Sequence, residues 1–318
     1  MSNILANDGL SPSGIEAFEK NGFKVITTKV AQEQLANFIN QNQIRALLVR
    51  SATQADKALI DACPDLELIG RGGVGMDNID VAYAKSKGIH VVNTPAASSA
   101  SVAELVFAHL FSGVRFLHDS NRNMPLDGDS KFKQLKKSYA GGMELRGKTL
   151  GIVGFGRIGQ ATARIGLALG MKVLYSDHNV EDCTLSVPFF DGQSLTFALE
   201  ASSMEEVLQQ SDFITVHVPA QKGYVLGEKE FNMMKQGAGV VNAARGGVLD
   251  EVALIDALEK EKLSFAGLDV FESEPKPEIR ILMHPKISLT PHIGAATVEA
   301  QDRIGLELAE QVSGLLGT

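Results

Sequence analysis

One glycine-rich segment constrains the fold of this chain more than any other. Residues 154–159 read Gly-Phe-Gly-Arg-Ile-Gly and directly follow a short apolar, β-branched run, residues 149–153, which predicts a buried strand. The residues after the glycines have helical apolar spacing, and a second predicted strand, residues 171–176, ends at the acidic Asp177. Strand, glycine loop, helix, strand and acid in this order are typical of a dinucleotide-binding site.

Each residue type in this loop has a physical task. Gly154 makes the tight turn, Gly156 lets the backbone approach a pyrophosphate, and Gly159 lets the helix pack close to the sheet. Arg157 and Ile158, between the last two glycines, are also candidate cofactor-binding residues, and the first backbone amides of the helix that follows are expected to bind the anionic pyrophosphate. The segment is therefore a candidate cofactor site.

The acid after the second strand distinguishes this segment from a second glycine-rich segment with the same spacing. Asp177 is expected to accept hydrogen bonds from the adenosine ribose and to repel a 2′-phosphate, so NAD is the predicted cofactor rather than NADP. Residues 70–75 also have GxGxxG spacing after an apolar run, but the next predicted strand, residues 89–92, ends at Asn93. Without an acid for the ribose, a second nucleotide site at residues 70–75 is not favoured.

Composition limits the class of protein. At 318 residues and 44% hydrophobic content, the chain is long enough for two domains with filled cores. Its net charge of −8 argues against nucleic acid or an anionic membrane as a partner. Cys63 and Cys183 lie far apart without CxxC spacing, which indicates a reducing compartment and no metal site. With no signal peptide and no long apolar run, a cytoplasmic protein is expected.

Alternating strands and helices predict two α/β domains. Short apolar strands alternate with amphipathic helices from the N-terminus, and a second such series starts at Thr149. We expect two doubly wound parallel sheets, with a Rossmann-type cofactor domain inserted in a flavodoxin-like substrate domain. The substrate domain is predicted to comprise residues 1–98 and 292–318, and the NAD-binding domain residues 99–291.

Two segments do not fit the simple alternation. Residues 121–142 are polar, basic and interrupted by glycine and proline, which predicts a loop or arm after a long helix at residues 98–117. Residues 183–201 contain Pro-Phe-Phe-Asp where a helix-rich connection is expected. The effect of this second segment on cofactor binding stays open.

Three polar residues follow predicted strands in the second half of the chain. Arg245 and His292 each follow a short apolar strand, and Glu274 follows another strand at residues 265–268. Ligands of open α/β sheets bind outside the carboxyl ends of the strands, so these side chains could meet in one cleft. Singly, a surface ion pair, a solvated turn and a helix cap or core histidine explain them equally well.

Together these segments resemble the D-isomer-specific 2-hydroxyacid dehydrogenase family, over nearly the whole chain. The resemblance rests on the glycine loop, on Ser-Asp-Phe-Ile-Thr-Val-His-Val-Pro at residues 211–219, on Ala-Arg-Gly-Gly at 244–247 and on Pro-His-Ile-Gly-Ala at 291–295, in family order. It implies that His292 exchanges a proton with the C2 oxygen of the substrate and that Glu274 hydrogen-bonds its imidazole. Arg245 is implied to bind the substrate carboxylate and to polarise the C2 carbonyl.

The same resemblance extends the cofactor site. It implies that Asp269 accepts a hydrogen bond from the nicotinamide carboxamide. The other residues that it assigns to the NAD site are Val218, Ala243, Ala244, Gly294 and Ala295. Residues 220–227 depart from the family pattern, so contacts with the cofactor there are in doubt.

The first half of the chain carries the substrate motifs. Residues 49–53 and 70–78 look like those of the phosphoglycerate dehydrogenases within the family, which implies oxidation of D-3-phosphoglycerate, a step of serine biosynthesis, by a homodimer. The backbone amides expected to hold the carboxylate of this small anionic 2-hydroxy or 2-oxo acid are those of Gly73, Val74 and Gly75. Arg50 and Arg71 are candidates for its phosphate; the less favoured alternative is that Arg50 merely ends a strand in solvent.

Other functions remain open from sequence alone. A hydroxypyruvate or glyoxylate reductase, or a D-lactate dehydrogenase, would share the fold and leave Arg50 without a phosphate. An NAD(H)-sensing, corepressor-like binding protein is an alternative of another class, but it needs an exposed apolar groove for a peptide. The set of Arg245, Glu274 and His292 favours an enzyme.

Overall fold

The computed structural model describes residues 2–317, which form two compact units. Unit one comprises the chain up to Ser101 together with the residues from Ala295 onward, and unit two comprises Val102–Gly294. The expected limits lie a few residues earlier in both places. His292 therefore belongs to unit two.

Unit one is built on a parallel sheet. Its strands are β1 (Ser2–Ala6), β2 (Phe23–Ile26), β3 (Ile44–Val49), β4 (Leu68–Arg71) and β5 (His90–Asn93). Their spatial order is β2-β1-β3-β4-β5, which is the flavodoxin-like arrangement. Leu47 and Leu48 point to opposite faces of β3, and both are buried because helices cover the sheet on both sides.

The helices between these strands have clear start signals. They are α1 (Pro12–Lys20), α2 (Gln32–Gln41), α3 (Lys57–Ala62) and α4 (Val81–Ser86). Ser11, Asp56 and Asp80 cap three of them by accepting hydrogen bonds from backbone N–H groups of the first turn.

Unit two begins with helices that the sequence only partly predicted. They are α5 (Ser99–Val114), α6 (Leu117–Asp127) and α7 (Phe132–Ser138). The expectation of a loop at residues 121–142 is therefore wrong for most of that segment. The Tyr139 hydroxyl donates to Asp119 Oδ2 at 2.8 Å, and Asn123 Nδ2 donates to the Tyr139 hydroxyl at 2.9 Å, so side chains connect these two short helices.

The sheet of unit two has six parallel strands and a separate hairpin. In chain order the strands are β6 (Thr149–Val153), β7 (Lys172–Ser176), the hairpin β8 (Asp182–Pro188) and β9 (Ser194–Glu200), β10 (Phe213–Val216), β11 (Ala238–Asn242), β12 (Leu263–Leu268) and β13 (Ile287–Leu289). The parallel order is β13-β12-β11-β10-β6-β7. The order reverses at β6 and β10, which is where ligands bind in doubly wound sheets.

Helices complete both units. Those of unit two are α8 (Arg157–Ala168), α9 (Met204–Gln210), α10 (Glu228–Met233), α11 (Glu251–Glu259) and α12 (Ile279–Met283), and α13 (Val298–Leu316) returns to unit one. There α13 packs so tightly on α1 that a Cβ on Gly14 would lie 2.7 Å from the Gly305 Cα. The predicted α/β class with two doubly wound parallel sheets is confirmed.

Among residues 2–317, no single helix is long and apolar enough to cross a membrane. Helices α5 and α6, bent by 55° relative to each other, meet the criteria of length and composition only when taken as a pair.

Candidate active site

The glycine loop of unit two is built by close backbone approach. Gly154 has φ +92°, and a Cβ there would lie 2.5 Å from the His217 carbonyl oxygen and 2.8 Å from Val218 Cγ1. A Cβ on Gly159 would lie 2.2 Å from the Gly154 carbonyl oxygen. Since neither clash could be relieved without moving backbone, the loop and the start of α8 require glycine at both positions.

The start of α8 is open to an anion. Gly156 is the N-cap residue, no side chain caps this helix, and a Cβ on Gly156 would meet nothing within 4 Å. Arg157 and Ile158 are the first two residues of α8. Their N–H groups and the helix dipole lie where a pyrophosphate would be stabilised.

Asp177 follows β7 and lies beside the loop. Its Oδ2 accepts a hydrogen bond from the Phe155 N–H at 2.5 Å, and its Oδ1 accepts from Asn179 and Val180 N–H groups at 2.7 and 3.1 Å. Partial burial raises the pKa of Asp177, but the backbone bonds from Asn179, Phe155 and Val180 together hold it below its ordinary value. The carboxylate therefore stays ionised, as the exclusion of a 2′-phosphate requires.

Arg245 stands at the end of a turn shaped by an asparagine. Asn242, the last residue of β11, accepts a hydrogen bond from the Ala244 N–H at 3.0 Å and donates to the Arg245 carbonyl at 2.9 Å. Ala243 and Ala244 are buried within this turn, and Arg245 Nη1 donates to the Ala244 carbonyl at 2.6 Å. Sequence reasoning missed Asn242, although an asparagine at a strand end is a known signal for such turns.

The next segment brings Glu274 to His292. A Cβ on Gly246 would lie 1.8 Å from the Phe271 carbonyl oxygen, so the arginine turn packs directly on the segment that carries Glu274. Glu274 Oε1 accepts from the Phe271 N–H at 3.0 Å, and Glu274 Oε2 lies 2.8 Å from His292 Nδ1.

The pairing fixes the tautomer of His292. A carboxylate can only accept, so Nδ1 of His292 carries the hydrogen and Nε2 is left to exchange a proton with a ligand. The His292 backbone has φ +55°, a left-handed conformation that is uncommon for a residue with a side chain. Its side chain is 43% exposed, so the imidazole is accessible.

Asp269 anchors the loop after His292. It is buried, its Oδ1 accepts from the Thr290 hydroxyl at 2.7 Å and the Ile293 N–H at 2.8 Å, and its Oδ2 accepts from the Gly294 N–H at 2.9 Å. Burial raises the pKa of Asp269, although these hydrogen bonds and His292 act in the opposite direction.

An apolar cavity of about 420 Å³ adjoins Glu274 and His292. Its other walls are Phe271, Pro275, Pro277, Leu282, Leu289, Thr290 and Pro291. With so few polar atoms around it, the hydrogen bond between Glu274 and His292 is strengthened on this side by a low dielectric.

Unit one holds the residues predicted to bind the anionic substrate. Arg50 follows β3 and Arg71 ends β4, and these strands are neighbours, with Val49 paired to Arg71. The Arg50 and Thr53 N–H groups donate to the Asp8 carboxylate at 2.6 and 3.2 Å, which holds the segment after β3 in place.

The glycine-rich turn after β4 lies against one of these arginines. A Cβ on Gly73 would lie 2.3 Å from Arg71 Nη1, so the guanidinium covers this turn. Val74 is partly exposed, and its carbonyl accepts from Asn93 Nδ2 at 2.7 Å. Gly75 follows it in the same turn, whereas Ala295, predicted for the cofactor site, lies in unit one with its carbonyl bonded to Gln301.

A doubly wound sheet with a glycine loop, an acid after the second strand and a carboxylate–histidine pair is typical of an NAD-dependent dehydrogenase. Comparison with known proteins gives the family. Residues 107–294 match the family described as D-isomer specific 2-hydroxyacid dehydrogenase, NAD binding domain. The chain belongs to this family, its cofactor is NAD, and the resemblance found from sequence is confirmed.

Individual relatives differ in the substrate that their names give. The chain is 38% identical to a hydroxypyruvate reductase of Thermotoga maritima, over 99% of this chain and 98% of that protein. It is 37% identical to a D-3-phosphoglycerate dehydrogenase of Methanocaldococcus jannaschii, over 99% of this chain but 58% of that protein. It therefore spans little more than half of this second relative.

A solved structure supports the same class. D-lactate dehydrogenase from Aquifex aeolicus, complexed with NAD and lactic acid, is 30% identical to this chain, with a TM-score of 0.74. The match covers 99% of this chain and 95% of that one. The protein is thus an NAD-dependent D-2-hydroxyacid dehydrogenase whose particular substrate these relatives leave undecided.

Proposed function

We propose that the protein oxidises D-3-phosphoglycerate to 3-phosphohydroxypyruvate with NAD, in serine biosynthesis. The observation that carries the proposal is the placement of Arg50 and Arg71 after neighbouring strands of unit one, beside a glycine-rich turn. Two guanidinium groups suit a phosphate, which each can bind through parallel hydrogen bonds. A substrate without a phosphate has no comparable anionic group for Arg50 and Arg71 to bind.

The residues of unit two supply the chemistry. A bound NAD would supply the acceptor for the hydride that leaves C2 of the substrate. His292 Nε2 removes the proton of the C2 hydroxyl, and Glu274 stabilises the imidazolium that results. Arg245 binds the substrate carboxylate and stabilises negative charge on the C2 oxygen. The proton and the hydride thus leave the substrate separately, and a 2-oxo acid is formed.

Hydroxypyruvate reduction is the second candidate. It is favoured by the Thermotoga maritima relative, which carries that name and matches this chain over 98% of its own length. The same His292 and Arg245 would then protonate and polarise an unphosphorylated 2-oxo acid. The two candidates differ in what Arg50 and Arg71 bind.

The test compares substrates and removes one arginine. NADH oxidation is measured with 3-phosphohydroxypyruvate, hydroxypyruvate, glyoxylate and pyruvate at equal concentration. We expect kcat/KM for the phosphorylated acid to be roughly a hundredfold higher, about 2.7 kcal/mol. Arg50→Gln should abolish most of that preference and leave kcat/KM for hydroxypyruvate unchanged. The exposed Lys20→Gln serves as the matched control, since it removes a cation of unit one that pairs with Glu16.

Two outcomes contradict the proposal. A flat substrate profile, or a preference for a small unphosphorylated acid, leaves the dehydrogenase class in place and discards phosphoglycerate as the substrate. An Arg50→Gln variant that weakens all four substrates equally removes the phosphate role of Arg50.

We also propose that the enzyme is a homodimer that associates through the α5–α7 region. Large exposed apolar side chains concentrate there, at Phe111, Leu117, Met124, Leu126 and Phe132. Such a concentration is typical of a protein–protein interface. Sedimentation equilibrium should give twice the chain mass, and Leu126→Asp should shift it toward the monomer.

A further inference from the structure

A buried chain of hydrogen bonds connects α5 with Asp269. His109 on α5 is 2% exposed, its Nε2 lies 3.0 Å from Thr290 Oγ1, and its Nδ1 lies 2.9 Å from Ser288 Oγ. Thr290 Oγ1 in turn lies 2.7 Å from Asp269 Oδ1. Because Ser288 and Thr290 lie in and just after β13, His109 joins the helix to the strand that leads to His292.

The proton count sets the direction of these bonds. An ionised carboxylate only accepts, so the single hydroxyl hydrogen of Thr290 points to Asp269. The Thr290 oxygen must then accept from His109, whose Nε2 therefore carries a hydrogen. Burial, with a smaller effect from His118, lowers the pKa of His109 to about 4, so the imidazole is neutral at pH 7. Its Nδ1 then carries no hydrogen and lies 2.9 Å from Ser288 Oγ.

These bonds leave one acceptor position on Asp269. Oδ1 accepts from Thr290 and Ile293, whereas within residues 2–317 Oδ2 accepts only from the Gly294 N–H. A carboxylate oxygen can accept two hydrogen bonds, so the remaining position is on Oδ2. A carboxamide N–H group fits this position, since it is a donor and the carboxylate is an acceptor. The orientation of the Asp269 carboxylate therefore decides whether Oδ2 can accept a hydrogen bond from the carboxamide N–H.

Gly267 makes room for the imidazole. A Cβ on Gly267 would lie 2.6 Å from His109 Cβ and 2.9 Å from its Cγ. Gly267 is on β12, two residues before Asp269, so α5 packs closely on the strand that carries the carboxylate. His109 and Asp269 are thus held in a fixed relation by backbone as well as by hydrogen bonds.

We propose that His109 is a positioning residue which, through Thr290, orients Asp269 so that the enzyme selects a cofactor with a carboxamide donor. The inference rests on the proposed contact of Asp269 with the nicotinamide carboxamide. It adds a specificity-determining side chain, 160 positions away in the chain from Asp269, that acts on the cofactor only through Thr290.

The experiment compares NAD with 3-acetylpyridine adenine dinucleotide, whose acetyl group replaces the carboxamide and lacks its N–H donor. In His109→Leu, which is similar in volume and makes no hydrogen bond, the Kd for NAD should rise roughly tenfold, about 1.4 kcal/mol. The Kd for the acetylpyridine analogue should change less than about twofold. His109→Gln, which can present an N–H to Thr290, should regain most of the preference for NAD.

Two further variants keep the test independent of stability. Gly267→Ala, which displaces the imidazole sterically, should reproduce the selective loss of NAD binding. Thr290→Val should also weaken NAD binding selectively. The double variant His109→Leu, Thr290→Val should bind NAD no more weakly than either single variant, because both substitutions break the same chain of hydrogen bonds to Asp269. Glu104→Gln, at an exposed position of α5, is the control and should bind both cofactors as the wild type does.

The outcomes separate this inference from the proposed function. If His109→Leu weakens both cofactors equally, or weakens neither, His109 does not act through the carboxamide contact and the inference is overturned. If the wild type itself does not distinguish NAD from the acetylpyridine analogue, the proposed role of Asp269 is wrong, and the inference is overturned with it. The substrate of the enzyme is not at issue in either result.

Discussion

At the scale of single residues, the pairing of Glu274 with His292 makes the sharpest prediction. Glu274 accepts two hydrogen bonds, from the Phe271 N–H and from His292 Nδ1. The amide of Glu274→Gln has one acceptor oxygen, so its N–H₂ group must face the other partner. If it faces His292, the imidazole takes the opposite tautomer and its Nε2 can no longer accept the substrate proton. We expect kcat to fall by about a hundredfold or more.

The measurement for Glu274→Gln is kcat at saturating substrate and NAD, with NAD affinity determined separately by NADH fluorescence. Affinity should stay close to that of the wild type, since the hydrogen bonds of Glu274 are to Phe271 and His292. Glu278→Gln, an exposed glutamate four residues further on, is the control. A Glu274→Gln enzyme that keeps kcat within about threefold would show that the carboxylate does not direct the tautomer of His292.

The residues of the site were predictable to different degrees. Gly154 and Asp177 could be found because their spacing along one strand–helix–strand unit is itself the signal. Thr290 could not, since nothing in its own segment shows that it bonds Asp269. Asn242 was missed, although an asparagine at a strand end is a signal for the turn that it shapes. The role of His109 was the hardest to predict, because its hydrogen-bond partners lie 179 and 181 positions away in the chain.

At the scale of secondary-structure elements, the hairpin of β8 and β9 behaves as part of the core of unit two. Leu185 on β8 is 1% exposed and packs in the same cluster as Leu150 and Tyr175, whereas Phe190 at the tip is fully exposed. Leu185→Ala should therefore lower the free energy of unfolding by about 2–5 kcal/mol, through lost burial and a cavity. Phe190→Ala should change it by less than about 0.5 kcal/mol.

Urea unfolding followed by circular dichroism measures both hairpin variants under one set of conditions. Similar small effects of Leu185→Ala and Phe190→Ala would mean that the hairpin is only loosely attached and that its packing contributes little. NAD binding by the Leu185→Ala protein, measured below its unfolding transition, shows whether the hairpin also supports the neighbouring β7, which ends at Asp177.

Elements whose own hydrophobic pattern is clear were predicted well, and elements that depend on tertiary contacts were not. The strands of both sheets are short buried runs, which the hydrophobic pattern predicts directly. Helices α6 and α7 are polar, lack buried residues and include Pro125, so local propensity argues for a loop. The hairpin has polar residues at alternate positions. Helix α8 packs against β8, and the sequence of the hairpin alone does not predict this contact.

At the scale of the whole molecule, two buried histidines of unit two make stability depend on pH. Burial lowers the pKa of His109 to about 4 and that of His217 to about 3, whereas an unfolded histidine titrates near 6.5. Below pH 6.5 the unfolded chain therefore binds protons that the folded chain does not, and stability falls as pH falls. For each histidine the slope approaches about 1.4 kcal/mol per pH unit.

Urea unfolding curves between pH 7 and pH 5 test this, because the pKa values of ordinary carboxylates lie below that window. The stability of the wild type should be greatest above pH 6.5 and should decline steadily toward pH 5. His217→Gln removes one of these groups, so its stability should decline less steeply than that of the wild type, although it starts from a lower value. His90→Gln, at the exposed start of β5, is the control for losing an imidazole of unit one. Equal slopes in the wild type and in His217→Gln would mean that His217 is protonated in the folded protein, which contradicts its burial among neutral groups.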